Sequence, residues 1–284
     1  MHDMQGERGS ARLAQLDDLS VVEMEVGSRC NRACSYCPVS IMPMPPVPAR
    51  MPEDVFSRTI EELSRVRFRG RISYHLYNEP LLRVDLHELV ARVREQLPDA
   101  LQILNTNGDL LDDRRYHRLR EAGIDYFYVT RHSPGEYPER DWQIVQYSEA
   151  LRLTNRGGSL VHLPKATEKI RRTPCHAPGE MLIISANGDV LLCYEDAFRE
   201  HVIGNIVASS LEEIWHDDEV VALRERLHVG DRTVTTMCLN CTNVSHCAPG
   251  LSALEDPVLA GVGLEIRDGA VSEMKRISTK GRQP

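Results

Sequence analysis

Cys30, Cys34 and Cys37 follow a C-x3-C-x2-C spacing within the segment "CNRACSYC". Three thiolates in so short a loop suit zinc or an iron–sulfur cluster. Structural zinc closes its shell with four ligands, and no histidine stands in this loop to be the fourth. A cubane on three cysteines instead leaves one iron open to a small molecule. The other five cysteines are Cys175, Cys193, Cys238, Cys241 and Cys247. A cluster ligated wholly by protein takes four thiolates. Cys193 closes a predicted hairpin and Cys238-x2-Cys241 is a tight pair. Structural zinc on the same four thiolates is the competing reading.

The elements that must hold these residues alternate. "SVVEMEV" reads as a strand with Val22, Met24 and Val26 on one face, and "PEDVFSRTIEELSRV" as a helix begun at Pro52. "RISYHLY", "LQILNT" and "DYFYVTRH" read as further strands. Between them lie helices capped by Asp85 and closed at Gly123. The expected fold is α/β, a partial (β/α)6 TIM-like barrel, whose chemistry sits at the C-terminal strand ends. The polar clusters fall at those ends: the cysteines, Asn78 and Glu79, Asn105 to Asn107, and Thr130 to His132. After about residue 165 the pattern changes to a hairpin turning at Asn187–Gly188 and a helix running from Ser210 to Gly230. "IMPMPPVPAR" (41–50) is a stiff connection, and the tail from 251 is expected to be loosely ordered.

The 284 residues suffice for one large domain plus a small one, and their net charge is −8. No long basic run is present to meet phosphates, so nucleic acid is not expected; an acidic surface suits a cationic ligand or plain solubility. No apolar run reaches membrane-span length, and the N-terminus lacks an export signal pattern. A cytoplasmic protein whose cysteines serve metal or redox chemistry is expected.

The C-x3-C-x2-C motif, Tyr36 before its last cysteine and "YNEP" after the second strand resemble the radical S-adenosylmethionine enzymes. The resemblance implies a [4Fe-4S] cluster on Cys30, Cys34 and Cys37 that binds S-adenosylmethionine and cleaves it to a 5′-deoxyadenosyl radical. It puts Tyr36 beside the adenine and Glu79 on the methionine amino group. Asn78 departs from the family's usual glycine. Asn107, Thr130 and Arg131 fall in the same cofactor region, with Arg131 as the carboxylate partner. Hairpin, helix and C-x2-C resemble the twitch domain, the shortened SPASM form. This implies a second [4Fe-4S] cluster on Cys175, Cys193, Cys238 and Cys241. The domains expected are an N-terminal extension (1–18), the radical barrel (19–165), the twitch domain (166–250) and the tail (251–284).

Within that family, "TNGDLL", "TNRGG", "IWHDDE" and "CLNCTNVS" resemble enzymes of aminoglycoside antibiotic biosynthesis. The resemblance implies a cationic aminoglycoside substrate and an external electron donor such as flavodoxin or ferredoxin. It places Tyr77, Arg156 and Glu195 against the substrate, and Asp196 is a further carboxylate for its ammonium groups. Without it, Arg156 is a solvated loop cation and Glu195 a hairpin-end charge.

Seven ligands leave one cysteine of eight, expected to be Cys247. A thiol can return a hydrogen atom to a sugar carbon radical, and from the opposite face this inverts the carbon. The main expectation is therefore an epimerase of neomycin type with Cys247 as donor. A dehydrogenase is the alternative, with Cys247 incidental and Arg156 as base on a hydroxyl. Two further alternatives stand. Cys247 could be the ligand and Cys175 the spare, or the chain could be a metal-binding module without catalysis.

Overall fold

The structure, a computed structural model, describes residues 16–41, 47–133, 136–250, 266–267 and 270–271. Most of the expected N-terminal extension, the centre of the proline-rich segment and nearly all of the tail lie outside them. β1 (Val21–Met24) leads into the cysteine loop and the short α1 (Pro38–Ile41). Then follow α2 (Glu53–Arg65), β2 (Arg71–Ser73), α3 (Leu86–Gln96), β3 (Leu101–Thr106), α4 (Asp113–Ala122), β4 (Tyr126–Arg131) and β5 (Gln143–Tyr147). The second half comprises α5 (Glu168–Arg171), α6 (Ala177–Glu180), β6 (Met181–Ile184), β7 (Asp189–Leu191), β8 (Val202–Asn205), α7 (Leu211–Trp215), α8 (Asp218–His228) and α9 (Thr236–Asn240). Beyond them β9 (Ile266–Arg267) pairs with β10 (Ala270–Val271).

One open eight-stranded sheet runs β5-β4-β3-β2-β1-β6-β7-β8, parallel from β5 to β6 and antiparallel thereafter. The six parallel strands match the barrel expectation. Full crossover helices accompany only the first three connections, and residues 132–142 join β4 to β5 without a described helix. The sheet crosses residue 165 unbroken, because β6 pairs with β1 (Val22↔Leu182).

Alternation along β1 sorts the core. Val22, Met24 and Val26 pack with Val55, Phe56, Ile60 and Leu63 of α2, while Val21 faces the opposite cluster with Met181, Ile183, Leu227, Met237 and Cys238. Each buried aliphatic or aromatic side chain contributes roughly 1.5–3 kcal/mol. Gly188, at φ +89°, turns the expected hairpin.

Three local expectations are corrected. Asp85 precedes α3 but caps nothing: its carboxylate takes Arg83 and Arg50 instead. The helix expected between Ser210 and Gly230 is two, because Asp217 accepts from the backbone N–H of Glu219 and Val220 and starts α8. The strands β5 and β8 were not anticipated.

Immediately after β1, fully buried Glu25 accepts from the Ala186 N–H at 3.0 Å and from Arg199 Nη2 at 2.6 Å. Removing one partner of a buried pair strands the other charge, whereas an exposed pair contributes little. Arg199→Met is expected to cost ~3–5 kcal/mol in chemical denaturation. Arg50→Ala, which breaks the exposed Arg50–Asp85 pair, is expected to cost less than about 1 kcal/mol.

Candidate functional site

The first three cysteines occupy the loop that leaves β1, next to the ends of β2, β3 and β4. Asp109 fastens this loop, accepting from Arg32 Nε (2.6 Å), Arg32 Nη2 (2.5 Å) and Asn31 Nδ2 (3.1 Å). Asn107 Nδ2 donates to Asn31 Oδ1 at 2.8 Å and reaches Cys30 Sγ at 4.0 Å. Burial pushes the Cys30 and Cys37 thiols above their ordinary range, and the Arg156 charge draws Cys37 partly back.

Sequence adjacency hid one neighbour. His132, at the end of β4, lies 3.6 Å from Cys34 Sγ and 2.6 Å from the Tyr36 hydroxyl, its ring stacked on Tyr36. Burial and then the Arg32 charge lower its pKa and favour neutral imidazole. So a histidine does reach the loop, but from a distant strand and already engaged by Tyr36.

Glu79 is buried in the segment that follows β2, and its carboxylate accepts from Thr106 Oγ1 (2.7 Å), the Asn107 N–H (2.8 Å) and the Leu81 N–H (3.0 Å). Burial raises its pKa, and these donors oppose the rise. A carboxylate offers about four acceptor positions, so one remains. Asn78 makes a local turn, its Oδ1 accepting from the Leu76 N–H. Thr130 is half-buried, and Arg131 lies over the Tyr137 ring at 4.6 Å.

Cys175, Cys193, Cys238 and Cys241 line one small cavity with Glu195, Arg232 and Met237. The cavity does not include Cys247, which is exposed. Burial raises all four lining thiols, Cys238 to about 11. Among the described residues no three His, Cys, Asp or Glu gather closely enough for a single metal ion. Four thiols lining one cavity are a donor set that fits a [4Fe-4S] cluster, which bonds each thiolate to a different iron.

Arg156 joins the two cysteine sets. Its Nη1 stands 3.8 Å from Glu195 Oε1, its guanidinium 5.9 Å from the Tyr194 ring, and its charge also acts on Cys37 and Tyr77. Glu195 is buried and accepts from Thr154 Oγ1 (2.9 Å) and Asn243 Nδ2 (3.0 Å). The Tyr77 hydroxyl donates to the Tyr194 carbonyl at 2.6 Å. Tyr194 Oη lies 2.8 Å from His246 Nε2 and accepts from Asn243 Nδ2 at 2.5 Å. Thus the residue preceding Cys247 is anchored to this cluster. Asp196 stands apart from these contacts: its oxygens accept from the Glu200 and His201 N–H groups at 3.1 and 2.8 Å. His132 belongs to the polar cluster expected after the fourth strand, while Asp109, Thr154, Tyr194, Asn243 and His246 were not singled out, since only tertiary pairing brings them in.

The family model for the Radical SAM superfamily matches residues 24–190. The chain belongs to the Radical SAM superfamily. An iron–sulfur cluster-binding domain, SPASM, matches residues 175–242, overlapping the first match along β6. The cofactors are accordingly [4Fe-4S] clusters and S-adenosylmethionine. The chain is similar to the S-adenosyl-L-methionine-dependent 2-deoxy-scyllo-inosamine dehydrogenase of Niallia circulans, 37% identical over 237 residues, covering 80% of this chain and 94% of that one. It is also similar to the crystal structure of BtrN in complex with AdoMet and 2-DOIA, with a TM-score of 0.76 at 34% identity, covering 82% of this chain and 96% of that one. BtrN in an open conformation gives 0.68 at 33% identity, over 81% and 94%.

In the "TNRGG" segment Arg156, Gly157 and Gly158 have φ of +47°, +62° and +94°. A Cβ on Gly157 would stand 2.4 Å from Met237 Cγ, beside Cys238. Left-handed backbone and overpacking together give Gly157→Ala an expected cost of about 3 kcal/mol, with less iron held by the second cysteine set. Gly250→Ala, at φ +79° with open space around it, is expected to cost only about 1 kcal/mol and to leave the iron content unchanged.

Proposed function

We infer that this enzyme acts on a carbon bearing a hydroxyl or amine in a cationic aminocyclitol or aminoglycoside, and that its reaction is a radical dehydrogenation. The observation that carries this reading is the Arg156–Glu195–Tyr77 cluster between the two cysteine sets, in a chain so similar to an aminocyclitol dehydrogenase. Cys30, Cys34 and Cys37 would hold the first cluster, and Cys175, Cys193, Cys238 and Cys241 the second. Residues 19–165 and 166–250 would then be two functional units built on one sheet.

When bound, the cofactors supply a 5′-deoxyadenosyl radical that takes a hydrogen atom and an auxiliary cluster that takes an electron. The residues do the remainder. Glu79 offers its remaining acceptor position to an ammonium group, while Tyr36, Asn107, Thr130 and Arg131 border the same space. Arg156 stays a cation beside Glu195, so it donates to the substrate oxygen and does not serve as the base. Glu195 is the carboxylate placed to receive the hydroxyl proton. The substrate thereby loses one hydrogen atom, one proton and one electron, becoming a ketone. Reduction of the first cluster calls for an external donor such as flavodoxin or ferredoxin. The free thiols fit a reducing, cytoplasmic setting, and no described helix is long and apolar enough to cross a membrane.

A second reading, epimerisation of an aminoglycoside of neomycin type, has one specific observation in its favour. Cys247 lies outside the four-cysteine cavity, and its neighbour His246 is tied to Tyr194 of the substrate cluster. There Cys247 would return a hydrogen atom from the opposite face, and its sulfur radical would afterwards take up a proton from solvent and an electron supplied through the second cluster.

Mass spectrometry separates the two. The iron-reconstituted, anaerobically reduced enzyme is given S-adenosylmethionine with either 2-deoxy-scyllo-inosamine or a neomycin-type aminoglycoside, in deuterated water. Dehydrogenation is expected to give a product lighter by two hydrogens, formed equally by Cys247→Ala. A product carrying one solvent deuterium at changed chromatographic mobility, abolished by Cys247→Ala, would instead establish the epimerase. Glu79→Gln is expected to raise the KM for S-adenosylmethionine at least tenfold, about 1.4 kcal/mol, because an amide meets an ammonium with less charge.

A further inference from the structure

Arg232 is buried at 2% exposure inside the second cysteine cavity. Its donors go only to main-chain carbonyls: Nε to Thr173 at 2.8 Å, Nη1 to Asn243 at 2.8 Å and Nη2 to Pro174 at 3.2 Å. No carboxylate among the described residues forms an ion pair with it; Glu195, which shares the cavity, faces Arg156. Nor does a described aromatic ring receive it. Arg224, also buried and carbonyl-bound, differs in lying 4.0 Å over the Trp215 ring. A cation taken out of water with no counter-charge costs several kcal/mol. It shares the cavity with four thiols, Glu195 and Met237, and its charge lowers the pKa of Cys175, Cys238 and Cys241 against the rise that burial imposes.

A [4Fe-4S] core on four thiolates is net anionic, and gains one more negative charge on reduction. We propose that Arg232 is the buried counter-charge of an anionic cluster on Cys175, Cys193, Cys238 and Cys241 and raises that cluster's reduction potential. This rests on the assignment of those four cysteines to the second cluster. The placement is direct on two sides. Pro174, held by Nη2, precedes Cys175, and Asn243, held by Nη1, donates its own N–H to Cys241 Sγ at 3.3 Å. Arg232 is therefore a positioning residue for both cysteine loops as well as a charge. In the dehydrogenase reading it favours the electron's passage from substrate to cluster without touching the substrate.

A redox titration followed by electron paramagnetic resonance tests this, in the full-length chain with Cys30, Cys34 and Cys37 changed to Ala, so that the signal comes from the second cluster. Arg232→Gln removes the charge, and Arg232→Lys retains it. Arg232→Gln is expected to lower the midpoint potential by at least 59 mV, tenfold in a one-electron equilibrium, with Arg232→Lys close to the parent. If Arg232→Gln loses its iron, Arg232→Lys decides the matter. A lysine variant that keeps the cluster at the parent potential supports the counter-charge, and one that loses iron equally shows a clamp only and overturns it. A cluster that survives in Arg232→Gln with its potential unmoved overturns the inference alone. A parent chain without any cluster overturns the cysteine assignment, and the inference with it.

Discussion

The site depends on the parallel pairing of β1 with β6, which joins residues 21–24 to residues 181–184. It is the contact that closes the chain. β1 thereby lies between β2 and β6, so the loop carrying Cys30, Cys34 and Cys37 leaves the sheet beside the hairpin that ends at Cys193. The pairing is then locked beyond the strand. The Glu25 N–H donates to the Ile184 carbonyl at 2.8 Å, and the Glu25 carboxylate accepts from Ala186 and Arg199. The chain is thereby held by both backbone and side chain where it leaves β1 toward the cysteine loop.

Burial of thiols sets the second constraint. Cysteines this deep favour the neutral thiol, so loading them with iron must release protons, and the protein has to stabilise the anionic product. Cations are distributed accordingly. Arg156 lies between Cys37 and Glu195, and Arg232 lies within the second cavity. The formal charge of −8 thus says little about the interior, where Arg156 and Arg232 act on the sulfur. Rigidity follows from the same contacts, because Arg232 ties three carbonyls and Gly157 packs on α9.

What could be read from the sequence was whatever is encoded locally. Strand alternation in β1, the Asp112 cap on the Arg115 N–H, the Ser210–Glu213 capping box and the positive φ of Gly123 and Gly188 all follow from near neighbours. So did the two cysteine motifs and the residues at the ends of β1 to β4. β5 escaped because "QIVQY" is an edge strand that is mostly half-buried and lacks a two-residue burial period. Asp217 sits in a run of acids, "HDDE", with nothing local to single it out, yet its side chain caps a new helix there. Asp196 and Glu195 look equivalent in "CYED" and part only because the following turn bends Asp196 back onto its own backbone. His132 and Asp109 had no signal in the cysteine loop at all. Their proximity is a property of β3 and β4 running parallel to β1.

The two candidate reactions share everything up to a carbon radical, so the machinery that binds and orients the substrate need not differ between them. Arg156, Glu195 and Tyr77 serve either. What decides the outcome is whether a hydrogen atom can arrive before an electron and proton depart. In this fold that question concentrates on the segment from Asn243 to Cys247. Asn243 braces Glu195, the proposed proton acceptor, and Tyr194 Oη, while His246 also contacts that hydroxyl. One short loop therefore adjusts the acceptor that oxidation needs and presents the thiol that inversion needs. Under the epimerase reading, a change at position 247 redirects the reaction without disturbing the sheet or either cysteine set, because the loop is anchored by the neighbours of Cys247, which is itself exposed and outside the four-cysteine cavity.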